Sequence, residues 1–275
     1  MTISRAQLAK ELEPGLNALF GLEYDRYENE AAEIFESEGS DRAFEEEVML
    51  SGFGTAPVKT EGSAINFDDA QETYTARYTM ETIALAFSIT EEAVEDNLYD
   101  RLAARYTRAL ARSMAQTKQI KGATVLNNAF LATSPIGDGA ALCSAAHPSL
   151  SGNQRNLLET PADLNETSLE DILIQIAGFT DERGLKIAVR GTKLLIPKEL
   201  QFIAERIINS NLRPGTADND INAMKSMGML PEGAAVNHFF TDADAYFVKT
   251  DCPNGFKLFN RTPLKTAMEG DFDTG

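Results

Sequence analysis

The chain has 275 residues, 43% of them apolar, and carries 42 Asp and Glu against 25 Lys and Arg, a formal charge of −17. That is enough material for a real core in one or two domains, while so acidic a balance argues against a dedicated nucleic-acid binder, which needs a basic excess. Two cysteines (Cys143, Cys252) and two histidines (His147, His238) leave no disulfide framework and no zinc ligand pattern.

No stretch approaches a membrane span and no N-terminal apolar run resembles a signal peptide, so a soluble protein made in a cytoplasm is expected. Residues 1–20 predict an amphipathic helix through Leu8, Leu12, Leu16 and Leu19, interrupted around Pro14-Gly15. Between Glu23 and Glu47 stand eleven Asp and Glu against Arg26 and Arg42, a net of −9. Tyr24, Tyr27, Phe35 and Phe44 are interleaved as anchors. Residues 48–71, with Gly52, Gly54, Pro57 and Gly62, predict the tip of a long hairpin. Its outgoing strand is expected near Glu45–Phe53 and its return strand from Glu72. Such a hairpin needs a surface to lie on, and a neighbouring copy is the economical candidate.

From Glu72 to Ile89 apolar residues alternate with period two, but the phase slips. Tyr74, Ala76, Tyr78 and Met80 share one face; Ile83, Leu85, Phe87 and Ile89 carry the other parity. The slip predicts a bend at Glu81-Thr82. Eighteen strand residues would reach about 60 Å, against a radius of gyration of about 19 Å for a compact chain of this size, so the first half is expected to project as an arm. A helix over 91–121 follows, capped by Thr90, with Val94, Leu98, Leu102, Tyr106, Leu110 and Met114 in steps of four. A second stripe is basic: Arg101, Arg105, Arg108 and Arg112. Pairing of that stripe with the acidic segment, within the subunit or between subunits, is expected.

Residues 131–160 read as loops and short strands. Thr167–Glu170 reads as a capping box for a helix reaching about Arg183, before Gly184. Strands are expected at Lys186–Arg190 and Lys193–Ile196, then a helix from Pro197 with Leu200, Ile203, Ala204, Ile207 and Ile208 on one face. A polar loop over Asn209–Asp220, a short helix near Ile221–Met227, and strands at Ala234–Phe240 and Ala245–Lys249 follow. Asn254-Gly255 predicts a turn pairing that last strand with Phe256–Asn260.

Three stretches are more specific: GDGAALCSAAHPSLSGNQRNL (Gly137–Leu157), NSNLRPGTADNDIN (Asn209–Asn222) and the terminal FNRTPLKTAMEGDFDTG. With the element order, they resemble the Mu-like major head subunit group of tailed-phage major capsid proteins. The resemblance implies an α+β chain of the Hong Kong 97-type capsid fold. It implies an N-terminal arm (1–40), an extended E-loop (41–80), a peripheral domain with the spine helix (81–160), an axial α/β domain (161–249) and a return hairpin of the peripheral domain (250–275). Resembling proteins continue past DFDTG with further strand residues, whereas this sequence stops at Gly275. No long N-terminal extension stands ready as an internal scaffold, so a separate scaffold protein is expected.

The implied function is structural: self-assembly into pentamers and hexamers of an icosahedral shell around the phage genome, built in the host bacterial cytoplasm and ending in the virion. Implied partners are further copies of the chain, portal, scaffold and decoration proteins, and weak non-specific contact with double-stranded DNA. The inter-subunit loop tip would be Pro57, Lys59 and Gly62, the hinge Glu81 and Thr82, and the axial loop Arg213, Pro214, Asn219 and Asp220. Some capsids of this fold cross-link a loop lysine to a neighbour's asparagine; Lys59 has the position, and no cross-link is assigned. No catalytic, metal or cofactor residue is expected. Adjacent carboxylates at Asp68-Asp69 and Asp181-Glu182 do not face each other, and no nucleophile, glycine-loop or P-loop pattern is present. The rivals are an encapsulin-like nanocompartment shell and, in another class, an α/β hydrolase-type enzyme using buried carboxylates.

Overall fold

The computed structural model describes residues 5–89, 99–213 and 220–267, with the side chains of 5–14 and 99–102 outside that description. The Thr90 cap, the first three residues of the expected apolar stripe, the Arg101 side chain, Pro214, Asn219 and residues 268–275 fall outside it.

The chain opens with helix α1 (Arg5–Tyr24). It is unbroken, so the expected interruption at Pro14-Gly15 does not occur. An interior proline forfeits one helical hydrogen bond, and the second half of α1 packs along the long helix α3 (Tyr99–Asn127), with Phe20 buried between them. Between these lie a single turn of helix, α2 (Ala31–Ile34), and strands β1 (Glu36–Gly39), β2 (Phe44–Leu50) and β3 (Glu72–Thr79).

Helix α3 departs from its expected limits and face. It runs through Gly122 to Asn127 rather than stopping at 121. Gly122 is there for close approach: a Cβ on it would lie 2.9 Å from Ala31 Cβ. Its buried stripe is Ala103, Thr107, Ala111, Ala115 and Gln119, whereas Tyr106 remains 48% exposed. Small side chains let α1 and α2 lie close to α3, and the larger residues are displaced to its flank. Gln119 accepts from Ala31 N (2.8 Å) and donates to Asn29 Oδ1 (3.0 Å), so the long helix caps α2 with a side chain.

The α/β lobe is built on β4 (Gly191–Pro197), in the order β5-β4-β6, with β5 (Ala234–Asn237) parallel and β6 (Phe247–Thr250) antiparallel to it. Helix α4 (Glu166–Ala177) covers one face. Its capping box is Asn165 with Ser168, not Thr167 with Glu170, and it ends at Gly178 rather than near Arg183. After Pro197 come a 3-10 turn (Lys198–Leu200), α5 (Gln201–Asn209) and α6 (Ala223–Met227). Leu194 and Ile196 point into a core with Leu169, Leu173, Ile176, Ala204 and Ile207. Leu195 points the other way, to Ile34 and Leu126. Strand alternation thus makes β4 the partition between two cores, and its run is apolar throughout because both faces are covered. The expected strand Lys186–Arg190 is only a bridge, Thr180 to Lys186.

The last strand corrects the return hairpin. β7 (Lys257–Asn260) pairs in parallel with β1, Glu36 opposite Lys257, not with β6. Asn254 does take a left-handed φ of 57°, but the turn sends the chain away from the lobe sheet to the N-terminal segment.

Candidate inter-subunit interface

The hairpin is β2 paired antiparallel with β3, Phe44 opposite Thr79 and Glu47 opposite Ala76, with a bulge between Val48 and Leu50. Charge and aromatic contacts hold its root. Arg77 bonds Glu46 (2.6 Å) and lies 4.3 Å over the Phe44 ring. Lys257 Nζ bonds Glu47 (2.6 Å) and approaches Glu38 (3.6 Å), so β7 is tied to both β1 and β2. The hydrogen bond to Glu47 is the main cause holding the Lys257 ammonium pKa above its ordinary value. Midway, the stem lies on the loop after α3: a Cβ on Gly137 would lie 2.8 Å from Ala76 Cβ and 3.1 Å from the Tyr74 ring. The stem is therefore bound to its own body, and only the tip beyond it extends; the expected projecting arm is shorter than the strand pattern implied.

Ser51 and Gln71 close the stem through Ser51 N to Gln71 O (2.8 Å) and Gln71 N to Ser51 Oγ (2.9 Å). Beyond them the loop holds a Thr60–Ser63 turn (3.2 Å) with Gly62 at φ +80°, the sign a type II turn requires at its third position. Pro57, Lys59 and Gly62 are exposed. Val58 is 95% and Phe67 94% exposed, with Ile65 and Phe53 also open. Among the described residues Lys59 has no ion-pair partner.

At the other end, pairing stops at Thr79 and Met80 N makes the last bond, to Ala43 O (3.2 Å). Glu81 then meets Lys121 on α3 (2.7 Å), a hydrogen bond that lowers the Glu81 pKa below its ordinary value. Residues 81–89 form no strand. They run along α3 towards Tyr106, whose ring lies 5.8 Å from that of Phe87. The alternation of Ile83, Leu85 and Phe87 is not sheet pairing: all three side chains are exposed, and no backbone partner for this segment occurs among the described residues.

Arg105, Arg108 and Arg112 are exposed on α3, and none makes an ion pair among the described residues. Arg108 and Arg112 line an open groove of about 340 Å³ with Glu23, Tyr27, Ser113 and Gln116. The acidic segment is engaged elsewhere: Glu33 with Lys193 (2.7 Å), Glu30 with His238 (2.7 Å), Glu38 and Glu47 with Lys257. Within one subunit the expected acid–stripe pairing is thus replaced by bonds to the lobe and β7. Arg213 bonds Glu166 at the start of α4 (2.9 Å), and its backbone N–H donates to Asp220 O (2.9 Å). The polar loop between α5 and α6 is closed by the Leu212–Ile221 bridge and by Asn222, which is buried and donates to Ile207 O (2.6 Å) and Ser210 O (3.1 Å).

The sequence reading missed Lys193, Lys257 and Arg183 as connecting residues. Lys193 also bonds Glu232 (2.8 Å), the leading cause of its raised pKa. Arg183 donates to Gly52 O (3.2 Å), Asp68 Oδ1 (3.3 Å) and Asp69 O. Local spacing carries no signal for them, because their partners lie far away in the chain. His147 is held by a side-chain bond, Nδ1 to Asp138 Oδ2 (2.6 Å), while its buried Nε2 has no hydrogen-bond partner among the described residues. Burial pushes the Cys143 thiol up to about 11, which keeps it unreactive. Among the described residues no group of three or more His, Cys, Asp or Glu could hold a metal ion, and no helix is long and apolar enough to cross a membrane.

The fold has solved counterparts. The capsid of bacteriophage JBD30 superposes with a TM-score of 0.59 at 11% identity, over 78% of this chain and 92% of that one. The JBD30 capsid decorated with minor capsid protein trimers gives 0.55 at 12% identity, over 76% and 89%. The procapsid of the same phage gives 0.53 at 13% identity, over 88% and 100%. No curated protein matches the sequence. The phage capsid protein family model matches residues 73–275, from the return strand of the hairpin to the end of the sequence. The chain belongs to the phage capsid protein family, as a structural protein of the bacteriophage virion.

Proposed function

We propose that the chain is a Hong Kong 97-type major capsid protein of the Mu-like group, assembling into pentamers and hexamers of an icosahedral head. The observation that carries this is the loop tip: Val58 and Phe67 are more than 90% exposed, more open than any other large apolar residue among those described. Apolar surface left open in this way marks an interaction site, and repeated copies of one modest contact make a stable shell. Pro57, Lys59 and Gly62 place the tip on the neighbouring copy. Glu81 and Thr82 are the hinge at which the hairpin leaves the body, supported by the end of pairing at Thr79. The axial loop around Arg213, Pro214, Asn219 and Asp220 faces the symmetry axis. The five segments are the N-terminal arm 1–40, E-loop 41–80, peripheral domain 81–160, axial domain 161–249 and the terminal 250–275.

The stripe Arg101, Arg105, Arg108 and Arg112 supplies weak, non-specific contact with packaged double-stranded DNA, supported by the exposure of Arg105, Arg108 and Arg112, which make no ion pair among the described residues. The overall charge of −17 keeps that contact weak. Portal and scaffold proteins, and decoration proteins such as the minor capsid protein trimers on the JBD30 capsid, are the further partners, with assembly in the host cytoplasm. The role is structural rather than catalytic. Expression of the chain followed by electron microscopy tests the reading: closed shells are expected. A discrete monomer or dimer at all concentrations, with turnover of a small substrate, would sink it.

A further inference from the structure

The turn after α4 is built to present one side chain. Asp181 Oδ1 accepts from Arg183 N (2.9 Å) and Leu185 N (2.8 Å), and Gly184 N donates to Asp181 O (3.0 Å) with Gly184 at φ +85°. The loop after α3 holds the turn from outside: Gln154 Nε2 donates to Asp181 O (2.9 Å) and Ser151 N to Glu182 O (3.0 Å). From this frame the Arg183 guanidinium reaches both legs of the hairpin just past the stem. It donates to Gly52 O on the outgoing leg, and to Asp68 Oδ1 and Asp69 O on the return leg. Asp68 joins the same legs directly, its Oδ2 accepting from Gly54 N (2.7 Å). Past Gly54 and before Asp68, no hydrogen bond or ion pair to the body occurs among the described residues.

We propose that Arg183 is a positioning residue for assembly: it latches the two legs of the loop to the lobe and so sets the direction in which the tip meets its partner copy. This rests on the shell reading above. The planar fork suits the task, because one rigid group serves several acceptors at once. The geometry makes the direction matter. The eight or so residues from the latch to the tip reach up to about 25 Å, so a swing of about 10° moves the tip by about 4 Å. That displacement exceeds the range over which apolar side chains stay in contact. The latch thus adds a tie to the lobe beyond the stem, and makes the loop a lever of fixed angle.

The experiment uses the full chain with R183A, R183K and D68N, each measured unassembled by amide exchange and assembled by electron microscopy. In R183A, exchange at residues 52–71 rises about tenfold or more while the lobe strands keep their protection, as local opening requires. Shells of wild-type diameter give way to mixed diameters and open sheets. R183K keeps the charge but not the fork, and behaves like R183A; D68N does the same without touching the lobe turn. Unchanged exchange in R183A, or uniform wild-type shells from R183A or D68N, overturns the proposal, as does full rescue by R183K. If the wild-type chain forms no shells, the shell reading fails, while the exchange data still decide whether the latch exists.

Discussion

The lobe around β4 and the hairpin of β2 and β3 are both strand structures in one chain, yet they are held by different forces. In the lobe, Leu194, Leu195 and Ile196 are almost wholly buried and pack on both sides of the sheet. In the hairpin, the strands carry Glu45, Glu46 and Glu47, and are fixed by Arg77, Lys257 and Arg183. Its most exposed large apolar residues, Val58 and Phe67, lie outside the stem. A hairpin of two strands cannot bury enough to stand alone, so this one is pinned to the body by polar contacts at its root and stem end. Its apolar surface stays available. The residues that stabilise the subunit are thus distinct from the open apolar residues of the tip, and substitutions can tell them apart.

The largest effect on the subunit is expected from Ile196→Ala. It removes a fully buried side chain between α4 and α5 and should cost about 2–5 kcal/mol, measured by urea unfolding. Gly191→Ala comes next. Its Cβ would lie 2.6 Å from Leu173 Cδ2 and 2.9 Å from Val248 Cγ1, an overpacking worth about 1–3 kcal/mol by the same measurement. Neutral behaviour of either would break the claim that the lobe carries the subunit's stability. Lys193→Ala loosens the tie from β4 to Glu33 and Glu232; because both acids are about half exposed, the cost should be about 1 kcal/mol or less.

Acid addresses the hairpin more selectively. The Asp68 pKa is lowered from 3.8, chiefly by the hydrogen bond from Gly54 and further by Arg183. A carboxylate with a depressed folded value contributes fully above its unfolded pKa and loses that contribution as pH falls through the folded value. Exchange at residues 52–71 should therefore stay slow at pH 5 and rise only below about 3.8, the ordinary value. Opening at pH 5 to 6 would assign the latch to another group. The smallest effect on folding is expected from Val58→Asp and Phe67→Asp, within about 0.5 kcal/mol, although particle formation should be abolished in sedimentation assays. Unfolding of these variants would mean that the tip serves the subunit's own core.

Much of this division can be read from residues. The existence of helix α4, the apolar face of α5, the glycine-rich tip and the phase slip at Glu81-Thr82 all arise from local spacing, whereas the cap and end of α4 did not. The misread places share one cause. Gly122 looked like a helix end, yet it marks where Ala31 crosses; the alternation of Ile83, Leu85 and Phe87 looked like a strand, yet that segment pairs with no strand among the described residues. Asn254-Gly255 signalled a turn, and nothing in that dipeptide could say that the next strand would join β1, more than two hundred residues away. The connecting role of Arg183 was equally invisible, since its acceptors lie 114 to 131 residues distant in sequence.

What the amino-acid sequence determined alone was therefore the periodic and the local: the long helix, the β2–β3 hairpin, the apolar run of β4, the acidic N-terminal segment and the glycine-rich loop between the hairpin strands. Tertiary structure decided which face of α3 is buried, where β7 pairs, and which cations hold the hairpin. Those outcomes depend on groups brought together from distant parts of the chain. Side-chain size at a crossing, or an acceptor across the fold, leaves no mark in the spacing of neighbouring residues.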